Sequence, residues 1–197
     1  MPRPLIPDRR MRILDAAQAL VLAHGFDAMS IQTVATEVGI AKGAVYREFA
    51  SKREILDVLL TRSMERMNVA AGQRLGEEPP SLSRAYAVAV DVLLDEELMT
   101  AAFLDDRAVL GSYVDGVTDG RYAERHRAVV AWIADLQEQG SLSARVAPEP
   151  LALALSATTI GLLTAARHLG PLTRADLQAA LEAVAVLVSS LETATPQ

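Results

Sequence analysis

Between Ile31 and Phe49 the apolar residues form two short helical rows parted by one glycine, and no other stretch constrains the chain as tightly. Ile31, Val34, Ala35 and Val38 recur at helical spacing, Gly39-Ile40 interrupts them, and Val45 and Phe49 resume at i, i+4. Ser30 is a good N-cap, and Gly39 suits a turn that needs positive φ. The spacing predicts a helix over 31–38 and another over about 41–49, with Ala35 and Ala44 small enough for a close crossing. A longer helix, about 8–24, precedes them: Ile13, Ala17, Leu20 and His24 share a stripe, Leu14 and Val21 flank it, and Gly25 ends it. Three helices in this order are the arithmetic of a helix-turn-helix. If Val45 and Phe49 face inward, Lys42, Gly43, Ala44, Tyr46 and Arg47 face outward, at the end where a recognition helix meets base edges.

Helical periodicity continues to the C-terminus, and no stretch alternates like a strand. Ser51 caps a helix from 52 to about 71, and further helices fit about 82–97, 99–113, 119–139, 149–168 and 173–192. The expectation is an all-α chain of about nine helices. The longest uncharged run, residues 150–166, is shorter than the roughly 20 apolar residues of a membrane span and carries Ser156, Thr158, Thr159, Gly161 and Thr164. It reads as a buried helix. Residues 1–10 carry positive charge with no apolar run behind them, so the expected compartment is the cytoplasm.

The absence of cysteine removes disulfides, thiol nucleophiles and cysteine zinc sites. His24, His126 and His168 lack partners at metal-ligand spacing, and GxSxG, GxGxxG, P-loop and HExxH motifs are missing. No catalytic residue, metal site or cofactor is expected, and the chain does not read as an enzyme. Net charge is −6, yet residues 1–54 hold 8 Lys and Arg against 6 Asp and Glu, whereas residues 55–197 hold 11 against 19. Affinity for phosphate follows the local field, so the N-terminal end is the one suited to an anion.

The run GIAKGAVYREFASK at 39–52, with IQTVATEV before it and AA.AL...HGF earlier, closely resembles the TetR family of transcriptional regulators over about residues 9–60. Gly140, Leu142, Pro148 and Ile160-Gly161-Leu162 extend the resemblance more weakly. The resemblance implies a homodimer on a palindromic double-stranded operator, usually a repressor released by a small ligand. It implies a DNA-binding domain over 1–53 and a helical effector-binding and dimerisation domain over 54–197. Gln32, Lys42, Gly43, Ala44 and Arg47 then correspond to the base-facing set, and Ser30, Thr33, Tyr46 and Lys52 to the phosphate-positioning set. The chemistry agrees, because Arg pairs bidentately with guanine and Gln with adenine. Lys52 opens a helix, so its ammonium and the free backbone N–H groups suit one phosphate. Glu48 is out of place near DNA; pairing with Arg47 or Arg53 is favoured over accepting from cytosine.

Two apolar stripes run along each of the last two helices. On 149–168 they are Leu151, Leu155, Thr158, Leu162 and Ala165, then Ala154, Ala157 and Gly161; on 173–192 they are Leu177, Leu181, Val184, Val188 and Leu191, then Ala179, Ala183 and Val186. A helix with two apolar faces packs on its own domain and on something else. The simplest account is a four-helix interface between two subunits, here assigned to Leu151, Leu155, Thr158, Leu162, Leu177, Leu181, Val184 and Val188. Met64, Met67, Tyr86, Phe103, Tyr113 and Trp132 are expected as the wall of a pocket for a small hydrophobic effector. A ligand-independent or activating DNA binder would share the same contact residues. A helical small-molecule-binding protein or enzyme without DNA binding is disfavoured by the joint presence of Gln32, Tyr46, Arg47 and Lys52.

Overall fold

The structure of the 197-residue chain is a computed structural model that describes residues 8–77, 79–103, 107–116, 121–170 and 172–193. The described residues form ten helices: α1 (Arg9–His24), α2 (Ile31–Val38), α3 (Lys42–Tyr46), α4 (Lys52–Leu75), α5 (Leu82–Asp95), α6 (Glu97–Phe103), α7 (Arg107–Leu110), α8 (Arg121–Glu138), α9 (Pro148–Leu169) and α10 (Arg174–Ser189). A 3₁₀ segment, Gly111–Gly116, follows α7. The all-α expectation holds, with one more helix than expected. The single helix anticipated over 99–113 is instead α6, α7 and the 3₁₀ segment. Gly111 takes φ +52°, which breaks the right-handed run. Among the described residues no helix is long and apolar enough to cross a membrane.

The chain divides into two compact units, and the division differs from a cut at residue 53. One unit takes the chain up to Arg66 together with the stretch from Glu96 through the 3₁₀ segment; the other takes Met67–Asp95 and the helices from α8 onward. In the first unit α1 packs on α2 and α2 on α3. The buried faces are Ile13, Leu14, Ala17 and Val21 on α1, then Ile31, Val34, Ala35 and Val38 on α2, with Ala44, Val45 and Phe49 after the turn. On α2 and after the turn these are the rows read from spacing; on α1 the stripe is shorter than expected, with Leu20 half-buried and His24 exposed. Polar groups close the unit further along α4. Arg62 donates to Asp15 at 2.7 Å and to Gln18 at 2.8 Å, and Arg66 forks onto Glu96 with two bonds of 2.8 Å. Arg66 also donates to the fully buried Ser63 hydroxyl at 2.9 Å, and its hydrogen bond to Glu96 draws that carboxyl below its ordinary value.

In the second unit α5 packs against α10 and α8 against α9. The core gathers Leu82, Tyr86 and Val90 of α5, Ile133 and Leu136 of α8, Leu151 and Leu155 of α9, and Leu181 and Val188 of α10. Its buried polar groups satisfy one another: the Tyr86 hydroxyl lies 3.0 Å from Thr159 Oγ1, and that hydroxyl donates to Leu155 O at 3.0 Å. Burial pushes the Tyr86 phenol up. The chain after α10 pairs with the α8–α9 connection through the Leu142–Glu192 bridge, and the Glu192 carboxylate accepts from Ser83 N–H at 2.7 Å.

Two glycines of the helix-turn-helix answer to different constraints. Gly39 ends α2 at φ +73°, whereas Gly43 is helical with open space where a Cβ would sit. Gly39→Ala is expected to lower the unfolding free energy by about 1–2 kcal/mol, the left-handed penalty for an L-residue. Gly43→Ala is expected to raise it by about 0.5–1 kcal/mol. Urea unfolding of the two variants checks the opposite signs; shifts of the same sign would contradict this reading of the turn.

Candidate nucleic-acid interface

The inner face of the helix-turn-helix is closed, so its outer face is fixed by elimination. Val34, Ala35 and Val45 are fully buried, while Gln32, Thr33, Lys42, Gly43, Tyr46 and Arg47 are exposed. Tyr46 leaves half its surface in solvent, and the Lys42 ammonium stands 5.9 Å from the centre of its ring. The row therefore offers two cations, an amide, a hydroxyl, a phenol and one position without a side chain. That is a set for phosphate oxygens and base edges rather than for an apolar partner.

The start of α2 is set by a reciprocal cap. Thr33 N–H donates to Ser30 Oγ at 3.1 Å, and Ser30 N–H donates to Thr33 Oγ1 at 2.9 Å. Both hydroxyls expected to position phosphate thus also hold the helix end. Arginines of α1 meet the C-terminal end of α2 and the turn that follows α3. Arg12 reaches Val38 O at 3.4 Å, and Arg10 donates to Glu48 O at 2.7 Å with its guanidinium 4.1 Å from the Phe49 ring centre. Cations at helix C-termini complement the exposed carbonyls.

Three expected placements are corrected. Ala44 is buried with Val45 rather than presented to the groove, because the crossing of α2 and α3 needs its small side chain inside. Glu48 pairs with Arg9, whose Nε donates to it at 2.9 Å, and not with Arg47 or Arg53. Lys52 turns inward: its ammonium donates to the carbonyls of Phe26 at 3.0 Å, Met29 at 3.2 Å and Asp27 at 3.3 Å, and lies 4.4 Å from the Phe26 ring centre. All three donors of the ammonium have partners there. Arg9, Arg10 and Arg12 were missed by sequence reasoning, since their partners lie 26 to 39 residues away.

Four of the eight residues assigned to an intersubunit seam are taken up by the core of their own unit. Leu151, Leu155, Leu181 and Val188 are buried in it, and Leu162 and Val184 pack against it. Thr158 and Leu177 are half-buried. The other stripe is the uncovered one: Leu153 is 62%, Ile160 44%, Val186 69% and Leu187 70% exposed, and Ala154, Ala157, Gly161, Ala179 and Ala183 lie open beside them.

The residues of the expected effector wall divide between the two units. Tyr113 is buried in the first unit, edge-on to Phe26 with ring centres 5.7 Å apart, and its hydroxyl donates to Asp57 at 2.6 Å. Met64 belongs to that unit too, while Met67 and Tyr86 are buried and Trp132 half-buried in the second. The Phe103 side chain lies outside the described residues. A small cavity of about 230 Å³ in the second unit is lined by other residues, among them Pro79, Leu136, Gln139, Leu142 and Glu192.

The tetR family of bacterial regulatory proteins matches residues 13–59. The transcriptional repressor KstR of Rhodococcus jostii is 34% identical over 116 residues, 56% of this chain and 54% of its own length. The chain thus spans about half the length of the curated relatives it matches. Among solved structures, the ketosteroid transcriptional regulator KstR2 of Mycobacterium tuberculosis superposes with a TM-score of 0.63 at 18% identity, covering 96% of this chain and 98% of the other. The TetR-family regulator PfmR of Thermus thermophilus gives 0.65 at 20% identity, covering 98% and 100%. Over residues 13–59 the chain is thus similar to the helix-turn-helix of the tetR family, and solved structures of TetR-family regulators share its fold.

Proposed function

We propose that the chain is a cytoplasmic, homodimeric transcription regulator that binds a palindromic operator and acts as a repressor released by a small apolar ligand. The observation that carries the reading is the exposed row Gln32, Thr33, Lys42, Gly43, Tyr46 and Arg47 on a helix-turn-helix whose opposite face is fully packed. Arg47 and Gln32 supply base-edge contacts, Lys42, Thr33 and Tyr46 supply phosphate contacts, and Gly43 lets α3 approach the groove floor. Release follows by linkage: a ligand that prefers one arrangement of the dimer weakens operator binding by the factor by which operator weakens ligand binding. Trp132, half-buried against the core of the second unit, is expected to report such a ligand by its fluorescence.

The dimer is supported by the uncovered stripe of α9 and α10. Leu153, Ile160, Val186 and Leu187, with alanines and a glycine between them, form a close-packing apolar surface that one chain leaves in water. A second copy presenting the same stripe completes a four-helix interface and places two reading heads about one DNA turn apart, roughly 34–36 Å.

Selection of duplexes from a random-sequence pool tests the function. It is expected to return a palindrome bound about a thousand-fold or more tighter than a scrambled duplex; equal binding to both contradicts the reading. Arg47→Ala is expected to cost about 1–3 kcal/mol on that duplex and to relax preference at one base position.

Lys52→Met is expected to weaken binding while leaving the salt slope of log K unchanged, since no phosphate contact is lost. A slope reduced by about 1 would return Lys52 to the phosphate set.

Val186→Glu is expected to convert dimer to monomer in sedimentation while the helical circular dichroism persists. A variant that remains dimeric places the interface elsewhere.

A further inference from the structure

The loop between α1 and α2 is gripped by a stretch that follows it by some eighty residues, both lying in the first unit. Phe26 N–H donates to Val109 O at 2.8 Å. At Gly25 a Cβ would stand 2.5 Å from Ala108 O, so only glycine admits so close a backbone approach. The Asp27 carboxylate accepts from Ser112 N–H at 3.0 Å and from the Ser112 hydroxyl. Gly111, at φ +52°, makes room for it, since a Cβ there would lie 2.3 Å from Asp27 Oδ2. Below these contacts Tyr113 meets Phe26 edge-on and binds Asp57 of α4, with the Arg53 guanidinium 4.6 Å from its ring centre. From the other side Lys52 holds the same loop by three carbonyls.

The loop ends at the buried Met29 and at Ser30, the cap that begins α2. Wherever the loop sits, α2 starts, and α3 packs on α2. We propose that Val109–Tyr113 is a positioning clamp for the DNA-reading helices, in which Ser112 holds Asp27 and thereby sets the place of Gln32, Thr33 and the α3 row. The inference rests on the reading of that row as a DNA-binding face, and none of the clamp residues belongs to the row. Hydrogen bonding from Ser112, ahead of the nearby Lys52 charge, holds the Asp27 carboxyl below its ordinary range. A depressed carboxyl keeps its contribution above its unfolded value and loses it only as pH falls through the folded one. Asp27 is therefore ionised at neutral pH, the form that accepts from Ser112.

The full-length chain and its Ser112→Ala and Ser112→Thr variants test this with two readouts. The first is amide hydrogen exchange across residues 26–38, with α5 and α10 as internal controls. The second is affinity for the duplex selected by the wild-type chain, against a scrambled one. Ser112→Ala is expected to speed exchange across 26–38 about tenfold with the controls unmoved. It is expected to weaken the selected duplex about tenfold while sparing the scrambled one, and Ser112→Thr is expected to restore both readouts. Unchanged exchange, or failure of the threonine variant to restore it, overturns the clamp. Faster exchange with undiminished affinity overturns its role in positioning. If the wild-type chain binds both duplexes equally, the DNA reading itself falls, and the exchange pattern still decides whether the loop is held.

Discussion

Helices of eight and five residues do not persist alone in water, where even good formers need about 12–15 residues. The helix-turn-helix of this chain is built from two such pieces. Their geometry therefore comes from packing, and the packing decides which side is left for solvent. Val34, Ala35, Val38, Ala44, Val45 and Phe49 are drawn inward, and the polar remainder has one place to go. Ala35 and Ala44 set how closely the helices cross, and Gly39 turns the chain between them at φ +73°. What remains is the termini, whose backbone groups must find partners. Ser30 and Thr33 serve the start of α2, Arg12 serves its end, and Arg10 serves the turn after α3.

The parts of this arrangement that depend on near neighbours were legible from residue order. A Ser cap, a 3–4 apolar spacing and a glycine stop act within one or two turns, and the bounds of α2 follow from them. Lys52 and Glu48 were not legible in the same way. A lysine opening a helix is equally suited to a phosphate and to three carbonyls of a preceding loop, and only the fold brings Phe26, Asp27 and Met29 to its ammonium. Glu48 finds Arg9 across 39 positions, a distance over which spacing carries no information. Tyr113 looked like pocket lining because aromatic residues at helical spacing do; its partners Phe26 and Asp57 lie far back in the chain.

The C-terminal helices show a different limit. Periodicity finds both apolar stripes of α9 and α10 but cannot rank them, since each is apolar enough to be buried. The larger side chains Leu151, Leu155 and Leu181 went to the chain's own core, which rewards area removed from water. The stripe with alanines and a glycine stayed outside, where small residues let a second helix come close. Size alone does not separate the two faces, since Leu153, Ile160, Val186 and Leu187 stay exposed while Ala152 is buried.

The proposed function requires two outward-facing α2–α3 pairs that read one duplex together. Hydroxyl-radical and methylation footprinting of the full-length chain on its selected duplex tests that most directly. The expected pattern is two protected major-groove patches related by a dyad and centred about one helical turn, roughly 10 bp, apart. A single patch, or protection that follows no sequence, would contradict it.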